Sequence, residues 1–137
     1  MFLIVRFGVY HWKGFEFEDG TYKDKYFITL NCKLEDKEIA LVLPTSQVHK
    51  YQKFRSIDTI KILKDESIYF HKDTLIDLKN IKVVESAKII KAHKAKRIKY
   101  LGLLEEKLQN RIIEAIKRAK TLSLKVKKSL LCDKGQS

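Results

Sequence analysis

Over its first 85 residues the chain sets apolar residues in short runs broken by polar turns, and near its end it changes to a three-and-four spacing. Residues 2–18 open with Phe2, Leu3, Ile4 and Val5 and continue with Phe7, Tyr10, Trp12, Phe15 and Phe17. Such β-branched and aromatic enrichment predicts a half-buried strand, with Gly8 and Gly14 marking bulges or a bend. Asp19-Gly20 is a turn signal, and Lys25–Asn31 is the next strand. Lys33–Lys37 is a charged turn, and Glu38–Leu43 is a near-continuous apolar run suited to burial on both faces. Pro44, the single proline, ends that run because it has no N–H to give a ladder. Residues 45–56 read as a polar loop, and Thr59–Leu63, Ser67–His71 and Ile81–Glu85 as short strands. Five or six short strands with tight turns are the pattern of a small β-barrel.

From Leu101 to Leu122 the apolar positions Leu104, Leu108, Ile112, Ile116 and Ala119 recur at amphipathic-helix spacing. Glu105 and Glu106 stand near its start, and Lys117, Arg118 and Lys120 near its end, as the helix dipole favours. A shorter helix fits residues 86–95. No internal repeat or linker interrupts the chain. The expectation is a mainly β (α+β) domain over residues 1–122, a small barrel with a C-terminal amphipathic helix, followed by a frayed basic tail at 123–137.

Composition narrows the classes. A chain of 137 residues with 45% hydrophobic residues can build a core, which excludes wholesale disorder. The apolar runs are too short to span a bilayer or to serve as a signal peptide, so a soluble cytoplasmic protein without membrane partners is expected. Cys32 and Cys132 have neither C-x-x-C spacing nor paired histidines, and free thiols in a reducing compartment are expected rather than a metal site. The formal net charge is +12. Residues 1–80 hold 13 basic against 12 acidic residues, whereas residues 81–137 hold 16 against 5. Such asymmetry points to a polyanion, nucleic acid ahead of membrane. Its densest part is Lys88–Lys99, with five lysines and one arginine in twelve residues. A solvated lysine-rich face is the plain alternative.

Phosphate-cradling glycine loops, nucleophile elbows and H-E-x-x-H pairs are absent from the sequence, and no cofactor is expected. The histidines His11, His49, His71 and His93 are scattered, each more readily a surface residue than a base. The most specific feature joins two segments. Phe15-Glu-Phe-Glu-Asp-Gly-Thr-Tyr-Lys-Asp-Lys25-Tyr-Phe-Ile-Thr-Leu30 runs from strand through polar loop to a cation opening an apolar strand. Ile39-Ala-Leu-Val-Leu-Pro-Thr-Ser-Gln47 is a buried strand ending in Thr-Ser-Gln. Gly102-Leu-Leu-Glu-Glu-Lys-Leu108 then leads the last helix. In this order and spacing, over roughly residues 7–120, the sequence resembles the PemK/MazF family of toxins from bacterial toxin–antitoxin pairs.

The resemblance implies an SH3-like barrel, a homodimer, a cognate antitoxin and metal-independent cleavage of single-stranded RNA. It carries the family's catalytic threonine onto Thr45 and its arginine position onto Lys25, with Tyr26 at the proline position and Val9 where the family has an acid after the first-strand glycine. Lysine offers phosphate a point charge where arginine offers a planar fork. Ser46, Gln47 and His49 are then candidates to bind phosphate or base, with His49 or His11 as a base. Tyr22, Lys23, Phe15 and Phe17 are candidates to line the groove and stack bases. Two other readings stay open: a barrel that binds nucleic acid without cleaving it, and an interaction module presenting the stripe Leu104, Leu108, Ile112 and Ile116.

Overall fold

The computed structural model describes residues 4–31, 37–46 and 58–131. In chain order these form β1 (Gly8–Glu16), β2 (Tyr22–Thr29), β3 (Glu38–Val42), β4 (Thr59–Ile62), β5 (Thr74–Asp77), β6 (Lys82–Glu85), α1 (Ser86–Lys94), β7 (Ile98–Leu103), α2 (Glu106–Arg118) and α3 (Leu124–Leu130). The protein is mainly β with a helical C-terminal part. An antiparallel sheet has the order β6-β3-β2-β1-β7, and β4 and β5 form a separate hairpin. A bridge between Thr45 and Leu75 joins the two. Among the described residues the barrel is not closed.

Strand alternation sends successive side chains to opposite faces, and both faces of the large sheet are covered. Val9, Ile28 and Val42 pack with Ile60, Ile62 and Ile76 of the hairpin and with Leu108, Ile112, Ala115 and Ile116 of α2. Tyr10, Trp12, Phe27, Ile39 and Leu41 pack on the other face with Ile89 and Ala92 of α1. Tyr10 and Phe27 stack at 4.8 Å between ring centres, and Trp12 meets Phe15 edge-on at 5.0 Å. Coverage on both faces explains why Glu38–Leu43 reads as continuously apolar.

The structure departs from the expected pattern in three places. Residues 101–103, expected to open the last helix, end β7 instead, because Ile98–Leu103 pairs with Gly8–Trp12. The helix begins at Glu106, after Leu104 N–H donates to Phe7 O at 2.9 Å. Ser67–His71 is not a strand. Tyr69 N–H turns back to Ser67 Oγ and Ile68 N–H to Glu105 Oε2, and the strand is Thr74–Asp77 instead. The tail is ordered as α3 through Leu130. Ser123 Oγ caps it by accepting from Val126 N–H, Leu130 is buried, and Arg6 donates to the Leu130 carbonyl at 2.7 Å. Among the described residues no helix is long and apolar enough to cross a membrane. Cys32 and Cys132 lie outside them.

Candidate functional site

The site originates in an interrupted ladder. β2 and β3 pair at Ile28–Val42 and Thr29–Leu41, and Leu30 N–H donates to Ala40 O at 2.9 Å. Antiparallel strands exchange hydrogen bonds at every second residue, so positions 40 and 42 face β2 and position 44 is next. Pro44 stands there without an N–H. Beyond it the two strands part. Thr45 turns to the hairpin, donating to Leu75 O at 3.0 Å and accepting from Leu75 N–H at 2.8 Å.

A cavity of about 360 Å³ opens in the gap, within the range of about 300–1,000 Å³ usual for small-molecule and cofactor sites. Asp24, Lys25 and Tyr26 of β2 form one wall, and Pro44, Thr45 and Ser46 the facing one. Tyr69, Phe70, His71, Lys72 and Thr74, before and within β5, complete it. Extending the β2–β3 register past its last rung would set Lys25 directly opposite Thr45. The two residues, twenty positions apart, therefore stand at the two lips of the same opening.

The walls differ in character. Tyr26 lies edge-on to His11 at 5.1 Å and to Phe70 at 6.0 Å between ring centres. With Tyr69 these rings make an aromatic side. The Tyr69 hydroxyl donates to Leu103 O at 2.7 Å, and burial, with Glu105 and Tyr100 nearby, pushes its pKa up so that it remains a donor. Gly102, at φ +145°, permits this approach, since a Cβ there would collide with the Tyr69 hydroxyl. Lys25, His71 and Lys72 supply nitrogen centres against the one carboxylate of Asp24, whose Oδ1 accepts from Gly14 N–H at 2.9 Å. The Lys25 ammonium rests 5.8 Å from the centre of the Phe17 ring, on the strand face that Lys25 shares with its partner Trp12. Asp24 and Tyr26 point to the other face.

Of the candidates read from the sequence, Thr45 and Ser46 line the cavity together with Lys25, whose ammonium is held over Phe17. Tyr22 and Lys23 are exposed at the start of β2, opposite Glu16 and Phe15, and do not line it. Phe17 is half-buried against Phe15 at 5.2 Å, and Phe15 itself is in the core. His11 reaches the cavity only through the Tyr26 ring. Gln47 and His49 lie outside the described residues. His71, Lys72, Tyr69 and Phe70 are the additions. No local signal marks them, because the Thr45–Leu75 bridge and the hairpin bring them in. Among the described residues no group of three or more His, Cys, Asp and Glu is gathered that could hold a metal ion. In chemical terms the cavity is lined by the hydroxyl-bearing Tyr26, Thr45, Ser46, Tyr69 and Thr74, the Lys72 amine, the His71 imidazole, the Asp24 carboxylate and aromatic faces, with Lys25 at its lip and its ammonium over Phe17. Compared with known proteins, the chain matches no protein-family model and no curated protein.

Proposed function

We propose that this protein is a PemK/MazF-like toxin of SH3-like barrel type, acting in the cytoplasm as a homodimer that an antitoxin neutralises. In this reading it cleaves single-stranded RNA with its own side chains. The observation that carries it is the cavity between β2 and the continuation of β3, whose lips are the two segments of the resemblance, Asp24–Tyr26 and Pro44–Ser46. The bridge that ties the large sheet to the hairpin supports the barrel reading.

The reaction follows from the groups present. The ribose 2′-oxygen bonds to phosphorus while the bond to the 5′-oxygen breaks, leaving a 2′,3′-cyclic phosphate and a 5′-hydroxyl. The 2′-hydroxyl proton must be taken up and one delivered to the leaving 5′-oxygen, work suited to the His71 imidazole. Thr45 and Ser46 donate to the phosphate oxygens, and the Lys25 and Lys72 ammoniums offset the charge that builds on them. Lys25 does so by swinging its flexible stem from Phe17 across the opening. Tyr26 and Phe70 take a base against their faces.

The test is incubation of the purified protein with end-labelled single-stranded RNA in EDTA. The parent is expected to cleave, and Thr45→Ala, Lys25→Ala and His71→Ala each to slow cleavage by about 10²-fold or more. Cleavage untouched by all three changes overturns the assignment. The position of the Lys25 ammonium over Phe17 favours a second reading, a barrel that binds nucleic acid without cutting it. Salt-sensitive RNA binding with intact RNA after hours selects that one.

A further inference from the structure

We propose that the cationic face running from α1 through the α1–β7 turn onto β7 is a second site, one that binds the phosphate backbone of nucleic acid. Lys88, Lys91 and Lys94 recur every third residue along α1. At 3.6 residues per turn they wind as a slanting row over about a third of the helix circumference, from the flank of the buried Ala92 at Lys88 to the side away from Ile89 and Ala92 at Lys94. Lys96 and Arg97 follow in the turn, Lys99 leaves β7 on the strand face opposite that of Ile98, and all six side chains are exposed.

These cations are held on a rigid frame. Lys96 takes φ +60°, Lys96 N–H donates to His93 O, Arg97 N–H to Ala92 O, and Lys13 N–H to Arg97 O at 2.7 Å. They also differ from four cations elsewhere in the molecule. Lys82, Lys107, Arg111 and Lys117 are each in contact with a carboxylate. Among the described residues none of the six is in an ion pair, and the sequence has no acidic residue between Glu85 and Glu105. Lysines three apart on a helix repel one another, and Lys88 stands near the N-terminal end, where the dipole disfavours a cation. The fold therefore carries a repulsion that an external polyanion relieves.

The frame selects among polyanions. A helix that lies on a membrane needs a free apolar face, whereas Ile89 and Ala92 of α1 are used in the core with Trp12 and Phe27 and Ile90, 40% exposed, is the one large apolar side chain that α1 leaves in the open. Tyr100 shares the β7 face of Ile98, which packs with α1, and is 44% exposed, offering an aromatic surface next to the cations. Phosphates with neighbouring bases match this pairing.

The proposal does not rest on cleavage, so its probe is single-stranded DNA, which lacks the attacking 2′-hydroxyl. Affinity is measured by fluorescence anisotropy across a salt series for the parent, the triple variant Lys88→Gln, Lys91→Gln, Lys94→Gln, and a control, Lys61→Gln, Lys64→Gln, Lys79→Gln, whose lysines are exposed away from both sites. Log affinity is expected to fall with log salt less steeply in the triple variant, the slope being smaller by about 2, at about 0.7 for each phosphate no longer neutralised. The control, which removes the same number of charges outside both sites, is expected to keep the parent slope, so that a loss in the first triple variant belongs to this face and not to total charge. A thermal melt confirms that the triple variant is folded. Equal affinity and slope in parent and triple variant overturn the proposal. So does a parent that binds vesicles of anionic phospholipid and leaves the DNA free.

Discussion

Glu66 shows how single residues hold the architecture. Its carboxylate accepts both terminal nitrogens of Arg111, at 3.0 and 2.6 Å, and the Leu63 N–H at 2.9 Å, with Lys107 at 3.6 Å. The bidentate fork ties α2 to the end of β4. Chiefly through the Arg111 hydrogen bonds, and then the Leu63 N–H, the Glu66 pKa falls from 4.5 to about 2. A carboxyl whose folded pKa is depressed contributes stability above its unfolded value and loses it as pH falls towards the folded one. The window for Glu66 therefore runs from about 4.5 down to about 2. Urea unfolding at stepped pH is expected to show a stability loss in that window that is shallower in Glu66→Gln, with the two proteins converging at the acid end. Parallel pH profiles refute the assignment. Asp58 acts in the same direction elsewhere. Buried, it accepts the Thr121 hydroxyl and the N–H groups of Lys120 and Thr121, and the Thr121 hydroxyl contributes most to its lowered pKa. The variant at Glu66 leaves that part of the acid sensitivity in place.

At the scale of elements, legibility followed the source of each signal. α2 announces itself in the sequence because its burial is its own periodicity: Leu108, Ile112, Ala115 and Ile116 are buried, and charges fill the opposite side. Ile112→Ala is expected to cost about 2–5 kcal/mol, as removing a buried side chain leaves a cavity. Lys117→Ala, on the exposed side, is expected to stay within about 0.5 kcal/mol. Comparable urea midpoints for the two variants contradict this packing. Leu101 and Leu104 continue the same three-and-four rhythm, yet Leu101 belongs to β7. Pairing with β1 overrides local spacing, and a bulge between Val9 and Tyr10 absorbs the mismatch. β5 was illegible for a related reason. Its four residues Thr-Leu-Ile-Asp have too little pattern to show, and hydrogen bonds to β4 and Thr45 make it a strand.

For the molecule as a whole, the two halves of the candidate site could be read from the sequence and their meeting could not. Lys25, Thr45 and Ser46 follow from strand ends and a resemblance. His71 and Lys72 reach the same opening through a hairpin that local pattern misassigns as the strand Ser67–His71. The charge asymmetry was legible as a count and acquires a shape once α1 sets three lysines in line. Ile89 and Ala92 of the same helix are taken up by the core, while Ile90 and Tyr100 stay exposed beside the cations.

Pro44 has a last consequence, concerning what the fold gives up. A missing rung between β2 and β3 keeps a seam unzipped in the middle of an otherwise continuous sheet, and stability is forgone where access is gained. Pro44→Val returns an N–H that can reach the Tyr26 carbonyl. The expected result is a higher urea midpoint together with weaker uptake of a short RNA, resistance to unfolding exchanged for entry. A variant that gains stability and binds RNA as well as its parent shows that the proline merely stops a strand, with no part in keeping the door ajar.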